Sequence, residues 1–202
     1  MPEHEPYDPL DYGNLTVNLV RELMTRPAVS LPIPDRFAGP GVYALFYDGG
    51  YGPYASLRSP DAAQPIYVGK AVPPGGRKGG SAPDESEPVL YRRIGEHVRS
   101  LEAADNLRLG DFTCRHLVVV PLWITMAERF LIEHYQPCWN VCIEGFGIHD
   151  PGSGRHASQR SWWDTLHPGR PWATNLQPRD EADAEELLRA FTAERQAIPE
   201  TP

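Results

Sequence analysis

The sequence predicts an α+β protein with a small three-stranded antiparallel sheet flanked by helices, long loop insertions, and helical extensions at both ends. Two β-rich apolar runs, 41–47 (GVYALFY) and 65–70 (PIYVGK), predict the first two strands. A helix, a third strand and a second helix follow, which gives the order β-β-α-β-α without an internal repeat. A chain of 202 residues is long enough for one sizeable core with such decorations.

Helical segments are predicted on both sides of the core. Residues 1–36 comprise an acidic, proline-rich arm and one helix whose N-cap is Asn14. Residues 143–202 comprise a C-terminal extension that is irregular at first and ends in an acidic amphipathic helix over 180–196. We expect this extension to pack as one domain with the core at 37–142, and to carry recognition and dimerisation.

Two segments of the core lack periodicity and separate its regular elements. Residues 48–64 predict a long hairpin loop, and residues 72–87, rich in glycine and proline, predict a second loop. Loops of this length are uncommon in compact domains unless they have a function. The other predicted elements are a helix near 88–104, a strand over 112–120 and a helix from Pro121 to about Tyr135.

The charge distribution decides how the net charge of −8 is interpreted. Such a charge weighs against a nucleic-acid ligand. However, residues 1–14 carry −4 and residues 173–202 carry −4, so residues 15–172 are neutral and can still contain a basic groove. Three cysteines without dense spacing fit a reducing compartment, and the sequence shows neither a secretion signal nor an apolar run near 20 residues. We therefore expect a cytoplasmic protein without membrane contacts.

Arg93 and His97 are four residues apart on the predicted helix, so they share one face that lies away from its apolar stripe. An arginine suits a phosphate and stabilises the charge that grows as phosphorus becomes five-coordinate. A histidine within hydrogen-bond range can move a proton or hold the attacking water. The alternative is an ordinary solvated face, because charged neighbours surround the pair and such charge pairs are routine.

Glu128 interrupts an apolar stripe, because Ile124, Leu131 and Tyr135 fall on the same face of the second core helix. A buried carboxylate is costly unless it is paired or binds a metal. One carboxylate, with phosphate oxygens and waters, is a common way to hold Mg²⁺. A salt bridge to an arginine such as Arg93 is an equally weighted alternative.

Tyr43 and Tyr67 each lie near a glycine in a predicted strand, which can bring two hydroxyls to one end of the hairpin. The alternative is packing, with each hydroxyl at the edge of the sheet. A tyrosine that acts as a base needs positive charge nearby, because its unperturbed pKa is about 10. Lys70, Arg93 and a metal can supply that charge, although Lys70 is equally a phosphate contact. Asn140 either orients metal-bound water or has a capping role, which is the more common one.

Together these residues resemble the signature of the GIY-YIG nuclease superfamily, whose name-giving segments are Gly41-Val42-Tyr43 and Tyr67-Val68-Gly69 here. The resemblance covers roughly residues 40–142. It implies hydrolysis of a phosphodiester by in-line attack of water, with Tyr43 taking the proton, helped by His97 or Lys70. It also implies one Mg²⁺ per site, replaceable by Mn²⁺ and held by Glu128. The implied active-site residues are Tyr43, Tyr67, Arg93, His97, Glu128 and Asn140.

The chain departs from the superfamily pattern in three respects. Valine replaces isoleucine at positions 42 and 68. The two predicted loops make the spacing between motifs longer than usual. Arg92 competes for the arginine position, but only Arg93 precedes His97 by four residues.

The loop insertions and the segments 145–152, 161–164 and 167–170 are similar to a small subfamily of type II restriction endonucleases that cut CCGCGG. This resemblance implies a homodimer that cuts a palindrome in double-stranded DNA, one strand per subunit. It also implies a methyltransferase in the same system, though not as a binding partner. Arginine and lysine forks suit the guanine edges of such a site, but they also hold phosphates. The candidates for DNA contacts are Lys70, Arg77, Lys78, Arg155, Arg160 and Arg170.

Two other functions stay open at this point. The first is a GIY-YIG nuclease of repair or of mobile elements, which reads DNA structure and no palindrome. The second is a DNA-binding module that does not cut and holds structural zinc. Its ligands would come from His134, Cys138, Cys142 and His149, which are suitable residue types without the tight spacing of common zinc sites.

Overall fold

A four-stranded antiparallel sheet forms the centre of the protein. The structure is a computed structural model that describes residues 11–73 and 86–197. In this part of the chain the strands lie in the order β1-β4-β2-β3, with bounds Val29–Ser30 (β1), Gly41–Tyr47 (β2), Tyr67–Ala71 (β3) and Phe112–Val118 (β4). The helices are Tyr12–Thr25 (α1), Val89–Ala103 (α2), Pro121–Tyr135 (α3), Cys138–Val141 (α4), Trp162–Leu166 (α5) and Glu181–Ala197 (α6).

The predicted α+β architecture is confirmed, with a sheet of four strands where three were expected. The additional strand is only two residues long and pairs with Thr113 and Cys114 of β4. A strand of two residues leaves no alternating pattern in the sequence, which explains why it was missed. The first helix starts earlier than expected because Asp11, and not Asn14, is its N-cap; the Asp11 carboxylate accepts from the Gly13 and Asn14 amides.

Each face of the sheet is covered by different helices. Every residue of β2 is buried, so this strand appears as a continuous apolar run. Tyr43 and Leu45 belong to the apolar cluster that α2 covers, whereas Val42 and Ala44 belong to the cluster under α1 and α3. Tyr67 lies on the α2 side. Since β3 is the last strand in the sheet order, side chains from both faces can meet around its free edge.

The predicted hairpin loop and the C-terminal extension both contribute to the core. A 3₁₀ turn over Gly52–Leu57 lies within the first predicted loop, and its Tyr54 is fully buried. Trp163 of α5 and Leu188 of α6 are buried in the same cluster as Leu90 of α2. Most of the second predicted loop lies outside the described residues. No helix of the described ranges is both long and apolar enough to cross a membrane.

Candidate active site

Tyr43 and His97 form a hydrogen-bonded pair in the interior, between the Tyr43 hydroxyl and His97 Nε2. The exposed fraction is 0% for Tyr43 and 1% for His97. Burial, reinforced by the nearby charge of Arg93, lowers the pKa of His97 well below its ordinary value, so the imidazole is neutral at physiological pH. Burial also raises the pKa of Tyr43, so the phenol keeps its proton. Tyr43 therefore donates this hydrogen bond and His97 accepts it.

The glycine of each name-giving segment is required by a close approach. Gly69 is paired with Tyr43 across β2 and β3, and a Cβ at Gly69 would lie 2.3 Å from the Tyr43 hydroxyl oxygen. A Cβ at Gly41 would lie 2.0 Å from the carbonyl oxygen of Leu117. The first glycine lets β2 approach β4, and the second leaves room for the phenol that His97 holds.

Substituting Gly69 with alanine is expected to displace the Tyr43 ring, because the added methyl group would overlap the ring and the hydroxyl. We expect the free energy of unfolding to fall by about 1–3 kcal/mol, as for overpacked cores, and DNA cleavage to slow. Thermal unfolding and a cleavage time course measure these effects. Gly95→Ala is the matched control, because a Cβ at Gly95 meets no atom within 4 Å. Normal cleavage by Gly69→Ala would contradict this account of the second motif.

Tyr67 and Arg93 lie beside the buried pair. The Tyr67 ring centroid is 6.1 Å from that of Tyr43 and 5.2 Å from that of His97. Arg93, whose side chain is 21% exposed, donates from Nη2 to the Gly147 carbonyl at 2.8 Å. Burial raises the pKa of Tyr67, while the nearby charge of Arg93 opposes that shift. The positive charge of Arg93 thus adjoins both tyrosine hydroxyls, as is needed for a tyrosine that acts as a base.

Two further side chains hold the Arg93 guanidinium in place. Its Nη1 is 2.7 Å from Oε2 of Glu96 and 2.5 Å from Nε2 of His149. Since arginine has no acceptor, it is the donor in both contacts, and His149 accepts through an unprotonated Nε2. Neither Glu96 nor His149 was singled out as an active-site residue from the sequence.

Glu128 reaches the same region from the other face of the sheet. Its Oε2 lies 2.7 Å from Nζ of Lys70, and the side chains are 22% and 31% exposed. The ion-pair partner is thus Lys70, whereas the sequence suggested an arginine such as Arg93. The Glu128 carboxylate is also close enough to add to the raised pKa of Tyr67. Glu128 therefore adjoins Tyr67 across the edge of β3.

The donor set at Glu128 fits a hard divalent cation. The carboxylate is partly exposed, so Mg²⁺ can take its other ligands from water and from phosphate oxygens. Within residues 11–73 and 86–197, no three histidine, cysteine or acidic side chains lie close enough together to hold a metal. His134, Cys138, Cys142 and His149 accordingly do not converge as a structural zinc site requires.

Asn140 lies next to the site and binds the backbone of β3. Its Oδ1 accepts from the Val68 amide and its Nδ2 donates to the Val68 carbonyl, both at 2.8 Å. A role at a metal-bound water stays a prediction, because Oδ1 keeps a second lone pair and Nδ2 a second hydrogen. In this arrangement Asn140 also fixes the strand that carries Tyr67 and Lys70.

Arg170 is not placed for a DNA contact. Its exposed fraction is 3%, and its Nε lies 2.5 Å from Oδ1 of Asp164. Because the guanidinium also donates to backbone carbonyls, it has no free edge for a base, and the DNA-binding expectation for Arg170 is wrong.

The other candidates for DNA contacts differ in exposure. Arg155 is exposed in a 3₁₀ turn, and half-buried Arg160 donates to the Ala173 carbonyl at 3.1 Å. Arg77 and Lys78 lie outside the described residues. Contacts from Lys70, Arg155 and Arg160 to DNA therefore stay predictions.

The comparison with protein-family models finds a match to the Eco29kI GIY-YIG domain over residues 35–193. The comparison with curated proteins gives no match. The family match starts shortly before β2 and ends within α6, so it contains the whole cluster around Tyr43 and most of the C-terminal extension. With more than half of its length matched, this chain belongs to the Eco29kI GIY-YIG domain family, a family of restriction endonucleases within the GIY-YIG superfamily.

Proposed function

We propose that the protein is a Mg²⁺-dependent type II restriction endonuclease that hydrolyses double-stranded DNA at a palindromic GC-rich site, CCGCGG. The observation that supports it most is the cluster at the edge of β3, where Arg93 adjoins the buried Tyr43–His97 pair and Tyr67 adjoins both Arg93 and the carboxylate of Glu128. Family membership supports the nuclease activity. The similarity of the C-terminal extension to the restriction endonucleases that cut CCGCGG supports this recognition sequence.

Tyr43 and His97 provide a path for the proton of the attacking water. Burial opposes ionisation of Tyr43, so this phenol does not act as a preformed phenolate. Its oxygen can instead accept the water proton while its own proton passes to neutral His97 along the existing hydrogen bond. The pair is then a general base whose proton ends on Nε2 of the imidazole.

The groups around this pair hold the phosphate. Arg93 faces both tyrosines, so its positive charge is placed to stabilise the five-coordinate phosphorus. Tyr67 orients the phosphate or the water from the adjacent strand, and Lys70 provides a second phosphate contact. Glu128 would hold the cation, which when bound supplies Lewis-acid stabilisation of phosphate oxygens.

A palindromic site implies a homodimer, because two identical subunits related by a two-fold axis present the same residues to each strand. In that assembly each protomer contributes one complete active site. Arg155 and Arg160 of the extension are the described candidates for contacts with the DNA. A methyltransferase that protects the host DNA belongs to the same system.

A plasmid with one CCGCGG sequence tests the proposal. We expect one linear product with Mg²⁺ and no product with EDTA. A plasmid in which one base pair of the site is changed is the control, and we expect it to be cut at least ten times more slowly, since a mismatch costs about 1–3 kcal/mol. Nicks or a smear would favour a repair or mobile-element nuclease. Binding without any cleavage would favour a DNA-binding module.

A further inference from the structure

The segment 145–149 of the C-terminal extension lies directly against the candidate active site. The Phe146 ring stacks on the His97 imidazole, with centroids 4.5 Å apart and planes at 21°. The same ring contacts Tyr67 edge-on at 5.0 Å. Further along the segment, Gly147 and His149 contact the Arg93 guanidinium. One short segment therefore touches both the proton acceptor and the phosphate-binding arginine.

This segment contains no helix or strand, and the Arg170 side chain holds it through hydrogen bonds to its carbonyls. Nη1 of Arg170 donates to the carbonyls of Phe146 and Ile148 at 3.0 and 3.1 Å. Nη2 donates to the Gly145 carbonyl at 3.0 Å. Its Nε pairs with Asp164, whose exposed fraction is 1%. Three carbonyls of the segment are thus fixed by one side chain.

The planar guanidinium is the feature that makes this arrangement possible. Arginine presents several donors in a rigid fork, whereas lysine has one ammonium on a flexible chain. The Arg170 guanidinium also lies over the rings of Trp163 and Trp172, 4.5 and 4.7 Å from their centroids. A buried ion pair is on its own a poor source of stability, because desolvation offsets the attraction. The three carbonyl contacts of Arg170 converge on one segment, which indicates a role in placing that segment.

We propose that Arg170 and Asp164 are positioning residues that act through the segment 145–149 to fix the His97 imidazole against Tyr43 and the Arg93 guanidinium against the phosphate. The inference rests on the proposed nuclease function, and it assigns the extension a direct part in the geometry of the reaction. Small displacements of reacting groups are costly, since a misplacement of about 1 Å can reduce a rate by about 10²-fold.

The stacked Phe146 also shields His97 from water. The titratable or charged groups around His97 are Tyr43, Tyr67 and Arg93 from the core, together with His149 and Arg170 from the extension. Burial is the main cause of the lowered pKa of His97. Loosening the segment admits water, which raises that pKa towards its ordinary value and protonates the acceptor at a higher pH.

The test compares Arg170→Lys and Phe146→Leu with wild type and with Leu23→Ala. Leu23 is fully buried in the apolar cluster on the other face of the sheet, so its variant loses stability without touching the segment. Single-turnover cleavage is measured against pH, and DNA affinity is measured with Ca²⁺ in place of Mg²⁺. For Arg170→Lys we expect a rate about 10- to 100-fold lower, unchanged affinity, and an acid limb shifted to higher pH. Phe146→Leu keeps an apolar side chain but removes the ring that stacks on His97. It is expected to show the same pattern, which keeps the test available if Arg170→Lys does not fold.

A readout that does not require cleavage separates this inference from the proposed function. An NMR titration of the His97 imidazole is expected to show a higher pKa in Arg170→Lys and Phe146→Leu than in wild type or Leu23→Ala. If the two variants show that shift but the wild-type protein cuts no DNA, the nuclease proposal is refuted and the positioning role is kept. An unchanged His97 titration and rate in folded variants, or a rate that falls equally in Leu23→Ala, would overturn the inference.

Discussion

Glu128→Gln is expected to reduce DNA cleavage by about 10³-fold or more while the protein still folds and binds DNA. Glutamine keeps the size of the side chain but removes the negative charge that a divalent cation requires. A catalytic cation stabilises the transition state by several kcal/mol, and each 1.4 kcal/mol is about a factor of ten in rate. The ion pair with Lys70 is partly exposed, so its loss is expected to change stability by no more than about 1 kcal/mol.

Cleavage rate, DNA affinity and Mn²⁺ affinity together measure this effect. We expect the variant to lose Mn²⁺ binding in the presence of DNA, as seen by isothermal titration calorimetry. Glu133→Gln is the matched control, because Glu133 lies on the same helix in an exposed ion pair with Arg129. Cleavage by Glu128→Gln at a rate near that of wild type would place the cation elsewhere.

Tyr43→Phe is expected to slow cleavage by about 10²- to 10⁴-fold, the range of a lost general base. The ring is retained, so packing is preserved, but Nε2 of His97 loses its hydrogen-bond donor in the interior. An unsatisfied buried group costs about 1–3 kcal/mol, so a lower unfolding temperature is also expected. Tyr47 lies on the same strand as Tyr43 and accepts a hydrogen bond from the Tyr51 amide, so Tyr47→Phe, which loses that bond, serves as the control. Comparable rate losses in both variants would mean that the slower cleavage comes from lost stability and not from lost proton transfer.

The pH dependence of the wild-type rate distinguishes the proton path from a preformed phenolate. His97 accepts the proton only when neutral, and burial lowers its pKa well below 6.5. We therefore expect the rate to stay high as pH falls through 6.5 and to decline only as the lowered pKa is passed. A phenolate base would instead produce a rate that rises steadily towards alkaline pH, because burial raises the pKa of Tyr43. Tyr43→Phe is expected to abolish the acid limb.

The sequence predicted those elements whose residues repeat with a clear period. The helix predicted from Pro121 to Tyr135 has these bounds in the structure, since proline marks its start and a left-handed Gln136 follows its end. Strand β2 was clear because the run 41–47 contains no charged residue and is rich in residues that favour strands, namely valine and aromatic residues. The short β1 and the turns of the extension depend on tertiary contacts, which leave no repeating pattern of residues in the sequence.

The candidate site was predictable where a residue type is unusual for its position. Glu128 in an apolar stripe and the four-residue step from Arg93 to His97 are visible in the sequence, and the structure brings these side chains towards Tyr43 and Tyr67. The roles of Glu96 and the segment 145–149 were not visible, because irregular segments carry no spacing rule. Arginine suits DNA and carbonyl groups equally, so only the burial of Arg170 reveals which of the two it binds.

The contacts of Asn140 also bear on the solubility of the protein. An edge strand with free amides and carbonyls is a template for pairing with another chain, which leads to aggregation. On the outer side of β3, the Asn140 amide occupies both backbone groups of Val68, and the Trp139 amide donates to the Ile66 carbonyl. Helix α4 thereby binds backbone groups that a neighbouring strand would otherwise bind. The middle of this edge strand, next to the reacting groups, is therefore less available for β-sheet growth.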